Sequence, residues 1–172
     1  MVSAQTRKKN LKQIGFLAIA VLLVLAATLG FQHWWNQRNM REPQEVTINV
    51  SAPDQELEVS PYTVVEPGKP AEDHEIPTIR LGKDDSLKIV VPEDVADHDW
   101  TLLKIYDDPQ ANDEQAFGPH ESSEASVPAQ VKSEKLNANL VVVEVTSVMI
   151  GHDEQGEETP YRVTWSVHPE VK

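Results

Sequence analysis

Tyr161-Arg162-Val163-Thr164-Trp165-Ser166-Val167-His168 is the stretch whose pattern decides the fold. Tyr161, Val163, Trp165 and Val167 fall on one side, and Arg162, Thr164, Ser166 and His168 on the other. A period of two marks a half-buried strand, whereas a helix would scatter both sets around its circumference. The aromatic and aliphatic side is expected to face a core. That makes Trp165 a packing residue before it is a platform for a sugar or a base.

The same alternation recurs along the chain from Glu45. Val46, Ile48 and Val50 alternate with polar residues, and Ala52-Pro53-Asp54 turns the chain. Leu57 and Val59 begin a second strand that continues beyond Pro61 through Tyr62 and Val64. A proline there predicts an edge strand or a bulge, because it cannot donate to the ladder. Ile76, Ile79 and Leu81 give a weaker strand, and Leu87, Ile89 and Val91 restart the alternation after the turn at Gly82-Lys83-Asp84-Asp85. Trp100 to Tyr106 is apolar on both faces, with Trp100, Leu102 and Tyr106 on one and Leu103 and Ile105 on the other, which predicts a central strand. Asn139–Ile150 is a valine-rich strand. Pro92–Asp99, Asp107–Pro128 and Gly151–Pro160 are expected as loops, the second long enough to suggest function. About seven strands with no convincing helix predict an all-β fold, an immunoglobulin-like antiparallel sandwich over residues 45–172.

Ahead of this domain, Ile14 to Phe31 holds no charge and no proline. As a helix, its 18 residues would span roughly 27 Å, enough for a bilayer core. Arg7, Lys8, Lys9 and Lys12 precede it, and Trp34 and Trp35 follow, so the expected topology has the N-terminus inside and the indoles at the outer interface. The expected organisation is a basic cytoplasmic tail (1–13), a single transmembrane helix with its Trp pair (14–35), a linker (36–44) and an extracytoplasmic domain. A cleaved signal peptide is the alternative. Leu25-Ala26-Ala27 offers small residues, although cleavable apolar regions run only about 7–15 residues. Gly15, Ala18, Ala26 and Gly30 give the helix a small-residue face along which another membrane helix could pack. No ionisable group lies in the span, which argues against ion conduction by this helix alone.

Charge divides at the same place. Residues 1–41 hold six Lys and Arg and no acid; residues 42–172 hold nine Lys and Arg against 28 Asp and Glu, a net of −19. Such a field disfavours nucleic acid and anionic lipid and attracts cations or a basic mobile protein, or it keeps the domain soluble. The chain has no cysteine, which excludes disulfides, thiolate metal sites and cysteine nucleophiles. No Gly-rich phosphate loop, His-Glu-x-x-His or Gly-x-Ser-x-Gly occurs. His74, His98 and His152 lie among acids in predicted loops, where solvated carboxylates are the default. Their spacing matches no metal template, so neither metal nor cofactor is expected.

Ser60-Pro61-Tyr62, Val91-Pro92-Glu93-Asp94-Val95, Asp99-Trp100-Thr101-Leu102-Leu103, Tyr106-Asp107-Asp108-Pro109 and Val142-Val143-Glu144-Val145 through Gly151 together resemble an actinobacterial family of small membrane-anchored extracytoplasmic proteins of unknown function. A single span with this kind of outer domain is also similar to the accessory subunits of the actinobacterial respiratory supercomplex of cytochrome bcc and cytochrome oxidase. That likeness implies a non-catalytic subunit that docks by its helix beside other transmembrane subunits, in the cell membrane, with its domain outside. The alternative is a free-standing envelope module that binds a ligand or cation.

Overall fold

The computed structural model describes residues 21, 24–31, 41–71, 73–134 and 136–172. The chain forms two compact units, Met1–Met40 and Arg41–Lys172. In the first, residues 24–31 form a helix, α1, with Thr28 Oγ1 donating to the Val24 carbonyl at 2.8 Å. Among the described residues no helix is long and apolar enough to cross a membrane. Gly15, Ala18, Trp34 and Trp35, like the basic tail, lie outside the described residues.

The second unit is all-β. Its strands are β1 (Ile48–Ala52), β2 (Gln55–Val59), β3 (Thr63–Val65), β4 (Thr78–Leu81), β5 (Ser86–Val90), β6 (Trp100–Tyr106), β7 (Asp113–Phe117), β8 (Glu124–Pro128), β9 (Gln130–Lys132), β10 (Asn137–His152) and β11 (Glu158–Val171). One sheet has the order β2-β1-β5-β8 and the other β3-β11-β10-β6-β7, with β4 and β9 beside β11 and β10. Apart from β4, which runs parallel to β11, all pairs are antiparallel.

Alternation explains the layering. Ile48, Val50, Leu87, Ile89 and Val127 of the smaller sheet share a buried cluster with Trp100, Leu102, Val143, Val145, Val163 and Trp165 of the larger. Trp165 is fully buried and its indole N–H reaches the Val46 carbonyl at 2.8 Å. Trp100 stacks on Phe117 with ring centroids 4.0 Å apart. Tyr106 sends its hydroxyl to the Pro128 carbonyl at 3.2 Å, tying β6 to the end of β8. On the outer face of the larger sheet one row of paired residues crosses five strands: Ala116, Thr101, Thr146, Thr164, Thr63.

Several expectations are corrected. Asp107–Pro128 is not a loop: it holds a 3-10 turn at Pro109–Ala111, then β7 and β8. β7 has no apolar alternation because it is an edge strand held through its backbone, with Lys104 Nζ 2.6 Å from Asp113 Oδ2. The segment around Pro61 is not one edge strand. The chain leaves the smaller sheet after Val59 and joins the larger at Thr63, and Pro61 sits at the crossing. Pro92–Asp99 contains a single helical turn, α2 (Glu93–Ala96), which buries Val95. The loop expected at Gly151–Pro160 shrinks to residues 153–157 as β10 and β11 run on. Ser166 is fully covered although it lies on the outward side of β11.

Candidate functional site

A cleft of about 660 Å³ opens at the end of the β10–β11 hairpin. Its floor comes from Tyr161 on β11, one wall from Pro61, Val64 and Pro70, and its rim from Glu66, Lys69, His74, His152, Asp153 and Glu154. Glu66-Pro67-Gly68-Lys69-Pro70 is a turn with Gly68 at φ 83°, a backbone conformation that glycine adopts without strain. It points Lys69 back across the opening. Lys69 Nζ lies 2.9 Å from Glu66 Oε2 and 3.3 Å from Glu154 Oε1. The Glu66 carboxylate, then Glu154, holds the ammonium above its ordinary range. Tyr161 donates to the His152 carbonyl at 3.0 Å, with Glu66 Oε2 at 3.4 Å. Burial first, then the nearby Glu66 charge, pushes its phenol up, so it remains a neutral donor.

The cleft adjoins the point where the domain begins. Gln44 lines it, and the three residues before Gln44 are fixed to the body. Arg41 pairs with Asp94, its Nε 3.0 Å from Oδ2. Glu42 receives the His152 backbone amide at 3.2 Å and lies 2.8 Å from His152 Nδ1. Pro43 is packed so closely on Gly151 that a Cβ there would stand 2.6 Å from Pro43 Cδ. Residues expected as the end of a linker are therefore part of the fold.

Glu42 gives a pH-dependent expectation. The hydrogen bond from the His152 side chain, against some burial, holds its carboxyl below the ordinary 4.5. Since the folded pKa is the lower one, the stabilisation is present above the unfolded value and lost as pH falls through the folded one. Glu42→Gln should lower the denaturant midpoint at neutral pH and converge on the parent in acid. Its half-exposed setting keeps the effect small. A deficit that persists unchanged in acid would assign the loss to packing.

A second cleft, about 450 Å³, lies between α2 and residues 120–123. His120 there has φ 59°, donates its amide to the Ala96 carbonyl at 2.8 Å, and holds Nδ1 3.0 Å from Asp97 Oδ1. The histidines singled out in the sequence are dispersed: His98 Nδ1 contacts the Asp94 carbonyl and His74 Nδ1 the Tyr62 carbonyl, and His152 lies against Glu42, the last two histidines lining the first cleft. Among the described residues no three His, Asp or Glu side chains are grouped to hold a metal ion. Ala26 and Gly30 are exposed on α1, and a Cβ at Gly30 would meet nothing within 4 Å. Glu66, Lys69, Glu154 and Tyr161 were not marked by any motif. The Pro-Gly turn and the acidic hairpin tip were visible, but their meeting was not.

Comparison with known proteins finds a family model that matches residues 41–170. No curated protein matches the chain.

Proposed function

From a chain that belongs to DUF2771, a family described as proteins of unknown function, we propose a non-catalytic accessory subunit of an envelope complex, anchored by its N-terminal apolar segment, with the β domain outside the cytoplasm. The observation that carries the reading is the cleft beside the domain's first residues, where two carboxylates already grip an ammonium. Lysine is an aliphatic stem with a cationic head, and Pro61, Val64 and Pro70 line the approach to Glu66 and Glu154. A basic side chain of a neighbouring subunit fits the same chemistry, and the domain's −19 would steer such a partner towards it. The exposed Ala26 and Gly30 support helix docking in the same assembly. By the likeness noted above, the respiratory bcc–oxidase assembly is the candidate complex.

The order β11-β10-β6-β7 corresponds to G-F-C-C′ of a variable-type immunoglobulin domain, which supports an immunoglobulin-like topology.

Gentle detergent extraction of the full chain tests the proposal. Stoichiometric partner subunits should co-purify, and Glu66→Gln with Glu154→Gln should reduce their recovery at least about tenfold, since desolvated charge pairs at an interface couple strongly. The cleft's volume also suits a small molecule, which favours a free-standing binding module as the second reading. Isolation of the chain alone, with a cationic small molecule retained in a Glu66-dependent way, would select that reading and discard the first.

A further inference from the structure

We propose that the outer face of the larger sheet is the interface of a two-fold symmetric homodimer of this chain, organised by Arg162 and Glu144. The face is unlike the rest of the domain. Residues 42–172 carry 28 acids, yet around its threonine row lie Leu103, Val148 and Ile150, with Val148 52% and Ile150 42% exposed. On β11 and β10 the charges that flank the row are Arg162 and Glu144, and Glu114 lies beyond Leu103 at the β7 edge. Arg162 has no acidic partner among the described residues. Glu144 accepts one side-chain hydrogen bond, from Ser166 Oγ at 3.5 Å.

The register explains why these two charges do not meet. Glu144 pairs with Ser166, and Arg162 lies four residues further along β11. That is about 13 Å along the strand and about 4.8 Å across. The midpoint between them is the pair Thr146–Thr164, whose hydroxyl oxygens are 3.2 Å apart. A two-fold axis in the plane of the interface, through that hydroxyl pair and perpendicular to the line joining the charges, sets each Arg162 over Glu144 of the other copy. The operation also brings Val148 over the Thr101–Leu103 region of the other copy. On an even strand lattice the two sheets then cross at about 40°, close to the roughly 30° of aligned sheet packing. One patch thus supplies both halves of an isologous contact, with an uncharged centre, two charge pairs beside it and Glu114 at the rim. The net charge opposes association, but beyond about 8 Å it is screened at physiological ionic strength. The dimer needs neither the cleft nor an accessory-subunit role.

The experiment is the mass of the full chain in detergent as protein concentration is raised. The parent should dimerise. Arg162→Glu and Glu144→Arg should each weaken the dimer at least about tenfold by setting like charges against each other twice, and the combined swap should restore it. Thermal melts identify any variant that fails to fold. A second measurement uses the absence of native cysteine. Facing sheets pack about 10 Å apart, so Thr146→Cys beside the axis should be joined by a bis-maleimide of matching reach, and Asn49→Cys on the smaller sheet should not. A monomeric parent, single variants that dimerise like the parent, or no recovery in the double swap would each overturn the proposal. So would cross-linking at residue 49 in place of 146.

Discussion

Trp165→Ala should remove a large share of the β domain's stability. The indole is fully buried between the sheets, and its N–H reaches the Val46 carbonyl at 2.8 Å. Truncating a buried Trp costs about 3–5 kcal/mol, because lost transfer energy adds to an unfilled cavity. The Val46 carbonyl then loses its donor in a closed site, for about a further 1–3 kcal/mol. Small domains have about 5–15 kcal/mol in total. Trp165→Phe helps separate the two contributions, since it refills most of the space while removing the N–H. Chemical denaturation followed by far-UV circular dichroism should show a large loss for alanine and an intermediate one for phenylalanine. A loss below about 1 kcal/mol for Trp165→Ala would contradict the packing described here.

Gly151→Val should be the most damaging single addition of atoms. A Cβ at 151 meets Pro43 Cδ at 2.6 Å, Pro43 Cγ at 2.8 Å and Tyr161 Cε2 at 3.0 Å. Two of these belong to a ring that cannot swing aside, and the third to a buried tyrosine. Overpacking of this kind costs about 1–3 kcal/mol. Relief requires residues 41–44 to lift from the hairpin, which also strains the Glu42–His152 contacts. Pro43→Ala, which removes Cγ and Cδ, should therefore recover part of the loss in the double variant. Strictly additive effects would show that the two residues do not meet.

The all-β class was legible because strands with one face in the core must alternate, as Tyr161 to Val167 and Val46 to Val50 do. β7 was illegible for the converse reason. An edge strand that pairs by backbone needs no apolar side chain until Phe117, so Asp113-Glu114-Gln115 looks like solvent-exposed loop. The switch between sheets at Pro61 was half legible: proline announced a break in pairing, but not that the chain would cross to the other sheet. The cleft was hidden because its parts lie far apart in sequence. Lys69 and Glu154 are separated by 85 positions, and Glu42 and His152 by 110. No local pattern encodes such meetings, which arise only when β3 and the hairpin are laid on one sheet.

The place of β11 in the larger sheet has a bearing on folding order. It pairs with β10 beside it in sequence, but also with β3 and β4, some hundred residues upstream. Trp165, on the same strand, closes over Val46. The early strands of the larger sheet have no stable neighbour until this segment has been synthesised. Pairings over such separations bring a heavy loop-closure cost and make nucleation slow. The smaller sheet can pair within residues 48–128, so only the larger sheet waits for the last strand. The β10–β11 hairpin is then the latch whose arrival lets β3 and β4 be held and the two sheets close on each other.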